Sequence, residues 1–157
     1  MMLSVLSVVF AVACKRGDAE VDSYVNTKMA VPLARLADGT QILRSTSGAD
    51  ANKPETPARL RHAATTLHAA SAEMAAITPP KAFITAHRVL VENAEALATS
   101  TDDLAAAATA RDDSTFTRTF VAMNLAIQSY IGTSALFETL VKEAGVTAKT
   151  LPPAPAP

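Results

Sequence analysis

The chain has 157 residues, a net charge of −1 and a single cysteine. Mixed charges of this kind provide no basic field for nucleic acid, and one cysteine excludes an intramolecular disulfide, a Cys-x-x-Cys redox site and a covalently attached c-type haem. Alanine makes up about a fifth of the residues, and there are five glycines and no tryptophan. Because alanine is the strongest helix former, the composition predicts an all-α protein.

An apolar run, Leu3–Ala13, comes directly before Cys14 and the basic pair Lys15-Arg16. The run is too short to cross a bilayer as a helix, which takes about 20 residues. Its length is that of the apolar region of a secretory signal peptide. We therefore expect this end of the chain to direct export.

The segment Ala11–Cys14, with the sequence Ala-Val-Ala-Cys, resembles the lipobox of bacterial lipoproteins, in which small residues precede the lipidated cysteine. Leucine is more usual where Ala11 stands, and Met1-Met2 adds no Lys or Arg before the apolar run. The resemblance implies a signal peptide over residues 1–13, a tether over residues 14–18 carrying palmitate at Cys14, and a place in the cell envelope outside the cytoplasm. The alternatives are an ordinary secretory signal cut near Ala13 and an uncleaved anchor.

A first helix is predicted from residue 19 to about Arg44. Pro32 lies inside it, removes one backbone hydrogen bond and crowds the previous turn, so the helix should kink or split near Ala30–Pro32. Asp38-Gly39 is a second weak point. The apolar positions recur at helical spacing: Val21, Val25, Lys28 or Met29, Pro32, Leu36, Thr40 and Leu43.

Two further helices begin with a threonine followed by a proline, a combination that suits an N-cap and the first helical position. One is predicted from Thr56-Pro57 to about Ile77, the other from Thr78-Pro79 to about Ala110. Between them the hinge Ile77–Pro80 should fold the two helices back antiparallel. Their stripes are Leu60, Ala63, Ala64, Leu67, Ala70, Met74 and Ile77, then Phe83, Ala86, Leu90, Ala94, Leu97, Leu104 and Ala108.

A fourth helix follows the turn Arg111–Ser114, which supplies its N-cap, and should end at Gly145. Gly132, with Ser134 and Ala135, predicts a close contact with another helix. Its stripe alternates steps of four and three residues: Phe116, Phe120, Met123, Ile127, Tyr130, Ser134, Phe137, Val141 and Ala144.

Four amphipathic helices with short links predict an up-down-up-down four-helix bundle over residues 19–146, with the first helix kinked near Pro32. The Pro-rich tail, residues 147–157, should be extended, exposed and disordered.

His68 and His87 lie at similar distances from the hinge, so they should face each other at similar height. They are the candidate ligands for a metal ion or haem. A competing interpretation is a pair of half-exposed boundary histidines, since His62 and His68 are six residues apart and no Glu-x-x-His or His-Glu-x-x-His motif is present.

Other groups of residues in the sequence give little indication of a catalytic site. Glu92 and Glu95 could do acid–base work, but Arg88 lies four residues before Glu92, which predicts a surface ion pair. No serine lies in a Gly-x-Ser-x-Gly or Ser-x-x-Lys context, and there is no glycine-rich phosphate loop. We therefore expect no catalytic residue, no cofactor and no enzyme.

The resulting hypothesis is a non-enzymatic protein of the bacterial cell envelope, anchored to the membrane by a lipid on Cys14. Its helical bundle would bind a protein or another envelope component. The alternative is a metal- or haem-binding four-helix carrier that uses His68 and His87.

Overall fold

A computed structural model describes residues 18–46, 50 and 52–149, and all the regular structure in them is helical. This confirms the predicted all-α class. The predicted signal peptide, Cys14 and the tail beyond residue 149 lie outside the described residues. A π-helical turn, Tyr24–Lys28, precedes α2, and a 3₁₀ turn, Lys81–Phe83, precedes α4. The five α-helices are α1 Ala19–Ser23, α2 Ala30–Arg44, α3 Thr56–Ala75, α4 Ile84–Ala110 and α5 Asp113–Glu143.

The predicted apolar stripes form the core. All seven positions of the first stripe are buried, with Met29 rather than Lys28 facing inward. All the stripe residues on α3 are buried, and Ile77, just after its end, is half-buried. On α4 and the turn before it, every stripe residue is buried. On α5 the outcome is mixed, because Phe120, Ser134 and Ala144 are only half-buried. The six buried positions of this predicted stripe are Phe116, Met123, Ile127, Tyr130, Phe137 and Val141.

The first predicted helix is divided upstream of Pro32. The backbone N–H of Met29 donates to the carbonyl of Tyr24 at 2.9 Å, five residues back, which is the π-helical spacing. Pro32 is the third residue of α2, in the first turn, where N–H groups have no partner within the helix. It therefore costs α2 none of its internal hydrogen bonds.

The hinge is longer than its sequence indicated. α3 ends at Ala75 and α4 begins only at Ile84. Each proline disfavours the helical region for the residue before it, so Pro79 and Pro80 together keep Thr78 and Pro79 out of a helix. Pro80 itself has the extended values φ −56° and ψ 152°. Thr78 is consequently not an N-cap, and the predicted start of this helix was wrong by about five residues.

The other helix ends follow simple capping chemistry. Thr56 is the first residue of α3 rather than its cap, and its hydroxyl donates to the backbone carbonyl of Asp50 at 2.7 Å. Asp112 caps α5 by accepting from the backbone N–H of Thr115 at 3.0 Å. Gly145 follows α5 with φ 70°, a left-handed value that glycine adopts without strain.

Consecutive long helices pack together: α2 against α3, α3 against α4 and α4 against α5. The two ends of the described chain also meet. The backbone N–H of Asp18 donates to the carbonyl of Ala144 at 3.2 Å, and the side chain of Asn26 donates to the carbonyl of Thr147 at 3.0 Å. The chain therefore enters the fold beside the C-terminal end of α5.

Gly39 allows α2 and α3 to approach closely. A methyl group at this position would lie 2.7 Å from Cγ and 2.8 Å from Cδ2 of Leu67, whose side chain is fully buried. Gly132, by contrast, has no atom from elsewhere in the described residues within 4 Å of the place where its Cβ would be, apart from its own helical neighbours. The contact predicted at Gly132 is therefore wrong for the described residues, in which the close approach is at Gly39.

Gly39→Ala should destabilise the protein, because overpacking costs about 1–3 kcal/mol and exceeds the gain of about 1 kcal/mol in helix propensity. The measurement is the free energy of unfolding in urea. In a chain that already carries Leu67→Ala the added methyl finds space, so Gly39→Ala should there be neutral or stabilising. An equal cost in both backgrounds would contradict the contact.

Candidate functional site

His68 connects α3 to α4 through two carboxylates. Its Nε2 lies 2.8 Å from Oδ2 of Asp102, and its Nδ1 lies 3.2 Å from Oε1 of Glu95. Glu95 and Asp102 are seven residues apart, two turns of α4, so both can reach one ring on the neighbouring helix. Half-burial of the ring favours its neutral form, but the hydrogen bonds to Asp102 and Glu95 outweigh this and raise the pKa of His68 above its usual value.

His87 lies in the interior, not at the boundary predicted for it, and is only 6% exposed. The Tyr24 hydroxyl lies 2.7 Å from its Nδ1, and the ring also hydrogen-bonds to the backbone of Met74. The Tyr24 contact fits a neutral ring that accepts at Nδ1 and carries its proton on Nε2. Burial lowers the pKa of His87, and the Met74 contact opposes this only in part.

Aromatic rings surround this buried polar pair. Phe83 lies 5.5 Å from Tyr24 and 5.4 Å from Phe137 between ring centroids, both in edge-to-face geometry. Tyr24 also lies 6.0 Å from Phe137 and 5.9 Å from His87. The apolar surroundings raise the pKa of the Tyr24 hydroxyl. We refer to Tyr24, Phe83, His87 and Phe137 as the aromatic cluster.

Tyr24 was not among the predicted functional residues. It opens the π-helical turn, a feature that often occurs at functional sites. Its spacing could have identified it as a core residue, since it lies three residues after the buried Val21. Nothing in its spacing could have identified His87 as its partner, because 63 residues separate the two.

The structure places the two candidate histidines in different surroundings. His68 faces Glu95 and Asp102, whereas His87 contacts Tyr24 and Met74. The long connection between α3 and α4 explains the difference, since it shifts the register that a tight turn at Pro79 would have set. A metal ion or haem could bind a nitrogen of either ring only by replacing one of these contacts.

Among the residues that the structure describes, no group of three or more His, Cys, Asp or Glu side chains could hold a metal ion. Cys14, the predicted lipidation site, lies outside them. The predicted surface ion pair is present, with Arg88 Nη1 lying 2.7 Å from Glu92 Oε1 on an exposed face of α4. Glu92 and Glu95 therefore have separate partners, Arg88 and His68.

A shallow groove runs between the C-terminal end of α2 and the middle of α5. Its walls are apolar at Leu43, Ile127 and Ile131 and polar at Arg44, Thr46, Asn124 and Gln128. Two polar groups are already used, since the Thr46 hydroxyl donates to the carbonyl of Ile42 and the Asn124 amide to that of Phe120. The groove can therefore make one charged contact, through Arg44.

The most apolar surface lies on α5. By length and composition this helix could cross a membrane, with a mean hydropathy of 1.3 over its most apolar 18 residues, although the core helix of a soluble protein passes the same test. Only 28% of those residues are buried. Val121, Leu125 and Leu136 are more than half exposed. These residues make this side of α5 a candidate interaction surface.

No protein-family model matches the chain, and searches of the curated proteins and of the solved structures found no match either.

The stabilising effect of His68 should depend on pH. Because the folded-state pKa is raised, the contribution is fully present below the unfolded value of about 6.5 and is lost as the pH rises through the folded-state value. His68→Gln should therefore destabilise the protein at pH 5.5, by up to about 1 kcal/mol for a half-exposed pair, and less at pH 9. Urea unfolding at both pH values measures this. An equal cost at both pH values would contradict the contribution of the charged ring.

Tyr24→Phe should cost about 1–3 kcal/mol of unfolding free energy, since it leaves the buried Nδ1 of His87 without a donor. In a chain carrying His87→Leu the same substitution should cost little, because no buried nitrogen is left unpaired. The double-mutant cycle is measured by urea unfolding. Additive costs would show that the hydroxyl and the ring do not interact.

Proposed function

We propose that the chain is a non-enzymatic protein of the bacterial cell envelope, tethered to a membrane by a lipid on Cys14, whose helical domain binds a protein or an envelope component. The observation that carries the proposal is the Ala11–Cys14 segment, which ends four residues before Asp18. The side chain of Asp18 caps α1 by accepting from the backbone N–H of Glu20 at 2.9 Å. The helical fold thus begins almost directly after the cysteine.

This short spacing has a physical consequence for the location of the domain. Residues 14–18 can extend at most about 17 Å, so a lipid on Cys14 would hold the helices at the membrane surface. Lys15 and Arg16 would lie at the headgroups, where each adds roughly 1 kcal/mol of attraction to anionic lipid. The exposed apolar residues of α5 would then face the periplasmic or extracellular space and be accessible to a partner.

For the helical domain we propose the up-down-up-down arrangement of four helices, formed by α2, α3, α4 and α5, with the bend in the first helical stretch at its π-helical turn. The support is the packing of each long helix against the next and the close approach at Gly39. If Gly39→Ala cost the same stability with and without Leu67→Ala, the close contact between α2 and α3 would be contradicted, and the proposed arrangement would lose this support.

Lipidation is tested by growing a bacterium that produces the full chain with an alkyne analogue of palmitate. The wild-type chain should carry the label and fractionate with membranes. Cys14→Ser should lose both properties, because the thiol is the acceptor of the lipid.

The matched control is a chain with Cys14→Ser and Ser23→Cys, which restores one exposed cysteine outside the Ala-Val-Ala-Cys context. This chain should remain unlabelled. Label on Cys14→Ser, or no label on the wild-type chain, would overturn the proposed anchor.

A further inference from the structure

α5 carries a second stripe on the face that points away from the core. Its members recur at alternating steps of four and three residues, the spacing of a coiled-coil seam. Every one of them is exposed. We name this set the outer stripe: Arg118, Ala122, Leu125, Ser129, Gly132, Leu136, Thr139 and Glu143.

The chemistry of the outer stripe is apolar or small in the middle and charged at the two ends. Leu125 is 65% exposed and Leu136 is 54% exposed, and Val121 beside them is 56% exposed. No charged residue occurs in α5 between Arg118 and Glu138. The end charges have opposite sign, positive at Arg118 and negative at Glu143.

Gly132 adds an observation that points to a close neighbour. Glycine inside a helix costs roughly 1 kcal/mol relative to alanine. Apart from its own helical neighbours, no described residue has an atom within 4 Å of the place where its Cβ would be, so no contact among the described residues requires a glycine there. Small residues on a helix face let a second helix backbone approach closely, as at Gly39 in the core.

We propose that the outer stripe binds the outer stripe of a second copy of this chain in an antiparallel pair. The two-fold axis then lies between residues 130 and 131. Each residue pairs with the partner residue for which the two residue numbers add up to 261. Leu125 then faces Leu136 of the partner subunit, and Gly132 faces Ser129 of the partner subunit. Arg118 meets Glu143 of the partner subunit at both ends, as the symmetry of such an interface requires.

Charge decides the direction of the pair. A parallel pair would put Arg118 beside its own copy and Glu143 beside its own copy, and like charges repel. The antiparallel pair converts both repulsions into attractions. The eight positions of the outer stripe all find a partner within the same stripe in this register.

Lipid is a weaker match for the same face. Helices that lie on a membrane surface carry many Lys and Arg residues on their polar side. α5 has only two basic residues, Arg118 and Lys142, against three acidic ones, Asp113, Glu138 and Glu143. The charge pattern therefore favours a second copy.

A second copy of the chain would be the partner of the proposed interaction domain. The pairing of the two copies does not require the lipid on Cys14. It is tested with the full chain carrying Cys14→Ser, in a mild detergent, by analytical ultracentrifugation at micromolar concentrations. We expect twice the chain mass of 16.3 kDa. Leu125→Glu should give the single-chain mass with unchanged helix content by circular dichroism.

The matched control is Ile84→Glu, which places the same charge at a residue that is 55% exposed on a different helix. It should leave the dimer intact. A monomeric parent chain, or a Leu125→Glu variant that stays dimeric, would overturn the proposal. The palmitate experiment can succeed or fail whatever this result, so the two proposals fail separately.

Cysteine crosslinking in the Cys14→Ser chain tests the register. Leu125→Cys alone should not form a dimer disulfide, since the two copies of this position lie about 16 Å apart along the helix axis, and a disulfide needs Cα atoms within about 7 Å. A mixture of Leu125→Cys and Leu136→Cys chains should crosslink. Efficient crosslinking of Leu125→Cys alone would indicate a parallel pair and overturn the register.

Flotation with vesicles of phosphatidylglycerol is the test against lipid. We expect the Cys14→Ser chain and its Leu125→Glu variant to float to the same small extent. A monomeric chain whose flotation depends on Leu125 would assign the outer stripe to lipid and overturn the dimer.

Discussion

Packing around the aromatic cluster depends on one buried hydrogen bond, between the Tyr24 hydroxyl and Nδ1 of His87. A buried polar group left unpaired costs about 1–3 kcal/mol, so neither side chain can move away without loss. The bond holds the π-helical turn against α4, while Phe83 and Phe137 exclude water from it. Outside this centre, the contacts of Asp18 and Asn26 with the residues after α5 close the same end of the molecule.

The position of this end bears on the proposed role. Because the first described residue lies beside the end of α5, the proposed anchor would hold that end of the helix close to the membrane. α5 has one face in the core and the opposite face exposed. The stripe of α5 that was predicted from the sequence packs into the core. On the outer stripe, Leu125 and Leu136 are exposed and no other described element lies close to Gly132. The same heptad spacing thus occurs twice on one helix, once on the face that packs into the core and once on the exposed face.

Helix class and core membership could be predicted because both follow from local periodicity. Residues three and four apart share a helix face whatever the rest of the chain does, so Leu60, Leu67 and Met74 were identified as core from spacing alone. The hinge showed the limit of this approach. Thr78-Pro79 had the local signature of a helix start, but the second proline kept it extended, and the resulting shift in register separated His68 from His87. Similarly, the sequence predicted a close helix contact at Gly132, but only the packed structure shows that the close approach among the described residues is at Gly39.

The sequence by itself determined the helical class, the apolar stripes, the capping turn Arg111–Ser114 before α5, the Gly145 end of α5, the Arg88–Glu92 ion pair and the resemblance of Ala11–Cys14 to a lipobox. Each of these depends on residues that are close together in the chain. Only the tertiary structure decided that His68 bridges Glu95 and Asp102, that Tyr24 pairs with His87, and that the second face of α5 remains exposed. These features join residues between 27 and 63 positions apart, or depend on which faces other helices leave uncovered. Local spacing carries no information about either.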